Sequence, residues 1–310
     1  MKRGYSFVSV RDKGVTCLGD LDVKILITGV TGTLGGRVAR KFLIEGASIK
    51  GLARNESKAN SIPGLEIQTV QGDLINRSSL YKALKDVDIV IHCAAYLGDD
   101  NEEAVNSNVI GVENIASISL ELGIKKFIHI STLSVYGEPK EGFYDEASTI
   151  VENHDEIYIE TKVQSERILK KYKDKGLNVI ILRPGAICAE ENSYWGDRQI
   201  IRMLDVEKVN WVHPNDIVPW IHADNLAEMI HLVCSNGKSG DVYNAIDGNF
   251  PEQNYRLQLI RVLGKEYQIP NRQAECAIYS NEKIRSLGYK PIRTFEETIT
   301  NLSNLAISKL

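Results

Sequence analysis

The sequence lacks the features that mark disulfide-rich, metal-binding and membrane-spanning proteins. Its 310 residues include five scattered cysteines with no Cys-x-x-Cys pair, and its six histidines show no metal-ligand spacing. This pattern predicts reduced thiols in the cytoplasm and no metal site. No apolar run in the sequence approaches the roughly 18 residues that a membrane helix needs, so we expect no membrane partner.

An excess of positive charge is also missing. The formal net charge of -4 argues against a nucleic-acid-binding surface. Residues 1–22 start with basic side chains but contain no apolar segment of the kind a secretory signal requires, so we interpret them as an N-terminal arm of unknown order. The hydrophobic content of 43% and the charged content of 25% are ordinary for a globular protein.

Short apolar runs alternate with segments of helical periodicity from residue 23 onward. Residues 23–28 and 88–93 are examples of the runs, and residues 157–172 form one of the helical segments. Such alternation predicts an α/β fold in which a Rossmann-type, doubly wound parallel sheet carries helices on both faces. Ligands of such sheets gather beyond the carboxyl ends of the strands.

The alternation weakens after Pro184. We therefore predict a dinucleotide-binding domain at residues 23–185 and a small substrate-binding lobe at residues 186–310, with returns to the first domain. Within this lobe we expect a helix that starts with Asp224 as its N-cap.

A glycine-rich turn follows the first predicted strand directly. It reads Thr28-Gly29-Val30-Thr31-Gly32-Thr33-Leu34-Gly35 and leads into a predicted helix. Glycines permit a tight turn and a close approach of the backbone to phosphate, and the start of a helix supplies free N–H groups. The turn therefore predicts a site for the pyrophosphate of a dinucleotide.

The end of the second predicted strand bears on which dinucleotide binds. An acidic residue there would accept hydrogen bonds from the ribose of NAD, but the sequence reads Ala53-Arg54-Asn55. The guanidinium of Arg54 suits the 2′-phosphate of NADP. We therefore expect NADP(H) as the preferred cofactor, with NAD(H) as the alternative.

A tyrosine and a lysine four residues apart form a candidate proton-transfer pair. The pattern Tyr-x-x-x-Lys occurs at Tyr81/Lys85, Tyr136/Lys140 and Tyr158/Lys162. The first match reads as an exposed helix, and the second falls in a turn that contains glycine and proline. The third lies on a predicted helix, where both side chains share one face.

In this third pair, a neighbouring ammonium is expected to lower the pKa of the Tyr158 phenol, which could then exchange a proton with a carbonyl oxygen. Thr132, at the end of the fifth predicted strand, is the candidate for a third group that steadies the same oxygen. These three residues are the predicted catalytic set.

Taken together, these motifs resemble the extended short-chain dehydrogenase/reductase family. The matching segments follow one another in order over about residues 23–305: the glycine turn; Gly72-Asp73-Leu74; His92-Cys93-Ala94-Ala95; Asn108-Val109-x-Gly111-x-x-Asn114; Ile130-Ser131-Thr132; Tyr158-x-x-x-Lys162; Leu182-Arg183-Pro184-Gly185; and Ile221-His222-Ala223-Asp224. The segment after Pro184 departs from the family's usual Tyr-Gly-Pro continuation, which leaves the substrate open.

The resemblance implies roles for individual residues. Tyr158 would be the catalytic acid/base, Lys162 would also bind the nicotinamide ribose, and Thr132 would hydrogen-bond the reacting oxygen. Asn108 would support the fold, and two copies of the chain would pair through the helices that hold Asn108 and Tyr158. The residues implied to contact the cofactor are Gly29, Gly32, Thr33, Leu34, Gly35, Arg54, Asp73, Leu74, Ala94, Ala95, Tyr158, Lys162, Pro184 and Ile187.

Three functions remain open from the sequence. The first is an NADPH-dependent reductase of a small or medium carbonyl compound, which Arg54 favours. The second is a nucleotide-sugar epimerase, dehydratase or reductase, in which Arg198 or Arg202 would hold a diphosphate. The third is a non-catalytic sensor of NADP, which the intact catalytic set disfavours.

Overall fold

The computed structural model describes residues 23–55, 67–205 and 207–310. The predicted arm at residues 1–22 lies outside these ranges. The main helices are α1 (Thr33–Ile44), α2 (Arg77–Leu84), α3 (Asn101–Val105), α4 (Gly111–Glu121), α5 (Ile157–Asp174), α6 (Asp197–Leu204), α7 (Ala223–Asn236), α8 (Arg256–Val262), α9 (Glu282–Ser286) and α10 (Phe295–Ile307).

The strands fall into three sheets. They are β1 (Lys24–Thr28), β2 (Ser48–Ala53), β3 (Gln68–Gln71), β4 (Ile89–His92), β5 (Lys126–Ile130), β6 (Phe143–Tyr144), β7 (Val179–Pro184), β8 (Ala186–Cys188), β9 (Ile217–His222), β10 (Val242–Ala245), β11 (Gly248–Pro251) and β12 (Ile278–Tyr279).

The central sheet has seven parallel strands in the order β10-β7-β5-β4-β1-β2-β3. The predicted Rossmann-type α/β fold is confirmed. The strand order reverses between β1 and β4, so the loops that follow these two strands diverge there and open a crevice. The glycine turn follows β1 at this point.

Buried side chains cover both faces of this sheet because successive residues of a strand point to opposite sides. Ile25 and Ile27 of β1 pack with Val38 and Phe42 of α1 on one face. Leu26, between them, packs on the other face. The central strands β1, β4, β5 and β7 are mostly buried because neither of their faces meets water, whereas the edge strand β3 is polar and partly exposed.

A third apolar core fills the lobe near the C-terminus. It surrounds Trp220, Tyr255 and Phe295, with Trp220 and Tyr255 fully buried. The three-stranded sheet β11-β9-β8 lies beside this core. The chain also returns to the central sheet, since β10 pairs with β7.

The structure differs from the sequence-based expectations in two helices. The long helix predicted through Asn108 is interrupted by a π-helical segment, Asn106–Ile110. The helix expected to start with Asp224 as its N-cap is capped instead by His222, whose ring accepts a hydrogen bond from the Asp224 amide. A histidine can cap a helix in this way only as a neutral ring with an unprotonated nitrogen, which the sequence pattern does not reveal.

None of the helices in the described ranges is both long and apolar enough to cross a membrane.

Candidate active site

The glycine turn is shaped by contacts that exclude side chains. Gly29 has φ +69°, and a Cβ there would lie 2.8 Å from the Ala94 amide nitrogen. A Cβ on Gly35 would lie 2.2 Å from the Gly29 carbonyl oxygen, because α1 packs directly against the turn. Both positions therefore require glycine. Gly29 requires it for its backbone conformation and for the close approach of Ala94, and Gly35 requires it for the close approach of the turn alone.

The start of α1 is open to an anionic ligand. Gly32 is its N-cap and provides no side-chain cap, so the first N–H groups of the helix are not occupied by an oxygen from that residue. Gly32 is also exposed, whereas Leu34 behind it is buried. This arrangement fits the pyrophosphate of a dinucleotide, which is attracted by free N–H groups and by the helix dipole.

Residues predicted to contact the adenosine half lie beside this turn. Arg54 is exposed at the end of β2, next to β1 in the sheet. Asp73 follows β3, and its amide donates to Ser79 at 3.1 Å. Leu74 is buried, and its carbonyl accepts a hydrogen bond from Asn114 at 3.1 Å. The parallel pairing of β1, β2 and β3 thus brings Arg54 and Asp73 to one edge of the sheet.

The other predicted cofactor contacts lie at the ends of β4 and β7. The Ala94 amide donates to Thr28 at 3.2 Å, which joins the β4 loop to the strand before the glycine turn. Ala95 follows and is partly buried. Pro184 ends β7, and Ile187 lies in β8 two residues beyond Gly185. All of these positions lie at the carboxyl edge that the sequence predicted.

The predicted catalytic residues meet at the end of β5. Thr132 is buried, and its hydroxyl lies close enough to the phenol of Tyr158 to favour the phenolate. Lys162 is only 2% exposed, and its ammonium donates to the Ile130 carbonyl at 2.6 Å. A helical turn separates Tyr158 from Lys162 on α5, so both side chains reach the same strand end.

The phenol does not have the pKa that the sequence argument expected. The pKa of Tyr158 is raised to about 12, because burial penalises the phenolate more than the nearby Thr132 hydroxyl favours it. The pKa of Lys162 is lowered to about 8 by burial. The expected lowering of the phenol pKa by the ammonium was therefore wrong for the chain by itself, because desolvation is the largest influence on the phenol and Lys162 is not among the groups that shift its pKa.

Asn108 lies next to this catalytic set without contacting its three members. Its amide accepts from the Tyr96 backbone at 2.8 Å and donates to Thr161 at 3.1 Å. The π-helical segment on which it lies thereby connects the β4 loop to α5.

The two other Tyr-x-x-x-Lys matches have the structures that the sequence predicted. Tyr81 is 38% exposed on α2. Tyr136 ends a 3-10 helix, Leu133–Tyr136, and Gly137 then turns the chain with φ +84°, so Lys140 does not share a helix face with it.

Sequence reasoning missed the segment that bridges the turn and the lobe. The Thr33 hydroxyl donates to the carbonyl of Asn192, a residue with φ +57°. Two residues earlier, Glu190 accepts from the ring of His222 at 3.1 Å and from Asn301 at 3.0 Å. These partners lie more than 30 residues away along the chain, and no local spacing signals them.

The fold just described agrees with comparisons to known proteins. The NAD dependent epimerase/dehydratase family matches residues 25–245. The chain therefore belongs to this family, whose members are enzymes of the extended short-chain dehydrogenase/reductase type.

Individual relatives differ in the reaction that their names describe. A 4-hydroxy-2-methyl-3-oxo-4-farnesyl-3,4-dihydroquinoline-1-oxide ketoreductase from Stigmatella aurantiaca is 24% identical over 84% of this chain and 80% of its own length. A dTDP-glucose 4,6-dehydratase from Streptomyces niveus is 25% identical over 89% of this chain and 90% of its own. The crystal structure of DesIV, a dTDP-glucose 4,6-dehydratase from Streptomyces venezuelae with NAD bound, superposes with a TM-score of 0.78 at 22% identity and covers 91% of this chain and 96% of its own.

Proposed function

We propose that this protein is an NADPH-dependent oxidoreductase that reduces a carbonyl group of a small or medium organic substrate to an alcohol. The observation that carries the proposal is the convergence of Thr132, Tyr158 and the buried Lys162 at the end of β5. These groups lie at the carboxyl edge of the same sheet as the glycine turn, where a dinucleotide and a substrate would meet.

Bound NADPH would supply the hydride that reduces the carbonyl carbon. Tyr158, with its pKa near 12, is protonated at neutral pH and is therefore in the form that gives a proton to the carbonyl oxygen. Thr132 would hold that oxygen through its hydroxyl. The ammonium of Lys162 would stabilise the phenolate left behind, until Tyr158 regains a proton from solvent.

The proposed cofactor contacts are those that the family resemblance implies, and they lie at this edge of the sheet. Gly29, Gly32 and Gly35 permit close approach of the pyrophosphate, and the remaining contacts are Thr33, Leu34, Arg54, Asp73, Leu74, Ala94, Ala95, Pro184 and Ile187. The division into a dinucleotide-binding domain at 23–185 and a substrate-binding lobe at 186–310 belongs to the same proposal.

The assignment of the proton donor is tested with Tyr158→Phe. Because the variant removes the phenolic proton but keeps the ring, we expect NADPH oxidation with a panel of ketones to fall by about 10²–10⁴-fold. Tyr81→Phe, from the exposed Tyr-x-x-x-Lys match, is the matched control and should retain full activity. Equal activity in the two variants would overturn the role of Tyr158.

The preference for NADPH rests on Arg54, which is exposed at the end of β2. We expect Arg54→Ala to weaken NADPH binding about tenfold and to leave NADH binding unchanged, since a charge-assisted bond to the 2′-phosphate is lost. Fluorescence titration measures both affinities, with Arg261→Ala in the lobe as the control. An unchanged ratio of the two affinities would contradict the preference.

A nucleotide-sugar epimerase or dehydratase is the second candidate. In its favour, a groove of about 220 Å³ in the lobe is lined by Arg202, Lys208, Trp211 and Arg256 among others. However, Arg202 already stacks on Tyr194 with 3.7 Å between its guanidinium carbon and the ring centroid. NAD that survives purification, together with turnover of a nucleotide sugar but of no simple ketone, would favour this candidate.

We further propose a homodimer formed through the helices α4 and α5. Apolar side chains near this surface are unusually exposed, including Ile110 at 43% and Leu122 at 44%. Sedimentation at micromolar concentration should give twice the mass of one 34.6 kDa chain. A single-chain mass would refute the dimer.

A further inference from the structure

A buried ion pair lies one turn beyond Lys162 on α5. Arg183 of β7 donates to Glu166 through two nitrogens, at 2.6 and 3.0 Å. Ser131 donates to the same carboxylate at 2.5 Å. Arg183 and Glu166 are each 5% exposed. The carboxylate is therefore held in one place by groups from two different strands.

This pair and Lys162 are anchored at adjacent residues. The ammonium of Lys162 donates to the carbonyl of Ile130, and the next residue, Ser131, donates to Glu166. Lys162 and Glu166 are four residues apart on α5, so their side chains lie on one helix face. The Glu166 carboxylate and the Lys162 ammonium are therefore both hydrogen-bonded to the end of β5, at neighbouring residues.

The charges around Lys162 come from every element packed against it. Glu166 acts on the ammonium most strongly in the favourable direction, whereas the Cys93 thiol after β4 is neutral because burial raises its pKa to about 12. His92 of β4 and His129 of β5 are buried and neutral, because burial lowers the pKa of His92 to about 3 and that of His129 well below its usual value. Without a nearby carboxylate, burial would favour the neutral amine.

We propose that Glu166, fixed by Arg183 and Ser131, is a positioning residue that keeps Lys162 charged and directed at the end of β5. The inference rests on the proposed function, in which Lys162 supports proton transfer by Tyr158. A purely structural pair would join α5 to β7 without influencing the charge of Lys162.

The charge of Lys162 can be measured without any substrate. Lysines carrying ¹³C at the ε position report their own titration by NMR, and Lys162→Arg assigns the signal. We expect the wild-type amine to titrate near pH 8. In Glu166→Gln, which keeps the size of the side chain but removes the negative charge and one of the two accepting oxygens, it should titrate about one pH unit lower. Glu160→Gln, the same change on the same helix away from the cluster, should leave the titration unchanged.

A second variant covers the case in which Glu166→Gln leaves Arg183 unpaired and does not fold. Glu166→Gln/Arg183→Met removes both charges, so we expect a smaller lowering of the Lys162 pKa than in the single variant. An unchanged titration in whichever variant folds would overturn the proposal.

Activity provides a separate reading. If the wild type reduces carbonyls, its activity should fall as pH rises through the Lys162 pKa, and Glu166→Gln should show that fall at lower pH. If no carbonyl is reduced by the wild type, the proposed function fails while the NMR titration still tests the influence of Glu166. If activity is normal but the titration is unchanged, only the positioning role fails.

Discussion

The contact between α1 and the glycine turn provides a sharp test of the site. Gly35 and Gly36 are neighbours on α1, and both are buried. A Cβ at position 35 would lie 2.2 Å from the Gly29 carbonyl oxygen, whereas a Cβ at position 36 would lie 3.4 Å from its nearest neighbour, the Val30 carbonyl oxygen. Alanine at position 35 therefore requires the surrounding backbone to move, whereas alanine at position 36 fits without such movement.

The expected magnitude follows from two opposing effects. Alanine stabilises a helix by up to about 1 kcal/mol relative to glycine, and this gain applies to both variants. Overpacking against an immobile backbone atom costs about 1–3 kcal/mol. The free energy of unfolding of Gly35→Ala should therefore lie about 1–3 kcal/mol below that of Gly36→Ala, since the helix gain cancels in the comparison.

Urea unfolding followed by tryptophan fluorescence measures the stability difference, and titration with NADPH measures the effect on the cofactor. Because Gly35 holds the turn against the start of α1, we expect Gly35→Ala to weaken NADPH binding as well, while Gly36→Ala binds as the wild type does. Two variants of equal stability and equal affinity would refute the idea that this close approach shapes the site.

Two further substitutions test the surroundings of the site. Hydrogen bonds from His222 and Asn301 lower the pKa of the Glu190 carboxyl to about 2, below the usual 4.5, against the effect of burial. The contribution of Glu190 to stability is therefore present above pH 4.5 and lost as pH falls toward 2. Glu190→Gln should flatten the acid limb of stability in urea unfolding at several pH values, and the exposed neighbour Glu191→Gln should not; identical acid limbs would contradict the assignment. Tyr136→Phe should lower the free energy of unfolding by about 1–3 kcal/mol, because the Tyr136 hydroxyl accepts from Arg183 at 2.8 Å and that buried donor loses its partner. Tyr144→Phe, in a ring 5.8 Å away, is its control, and an equal loss in both variants would show that the hydroxyl is not responsible.

The strands and helices that the sequence predicted most accurately are those that nearby residues in the chain fix. β1 lies within the predicted apolar run at residues 23–28, and α5 begins at the predicted Ile157. In both cases a run of apolar residues or a helical period fixes the element within a short window. The same holds for the glycine turn, whose spacing alone indicates its conformation.

The predictions that failed depended on distant neighbours. The cap of α7 is His222 because its ring is oriented by the fold, with Glu190 from another loop on its second nitrogen. The phenol pKa of Tyr158 was predicted from a partner four residues away, but burial by the surrounding fold has the larger effect.

The sequence alone determined the parallel sheet, the turn for a dinucleotide and the spacing of Tyr158 from Lys162, because apolar periodicity and glycine placement act over a few residues. The tertiary structure decided which groups surround that lysine. Ser131, Glu166 and Arg183 meet because three separate elements converge at one strand end, and only that convergence excludes water and sets the charges there.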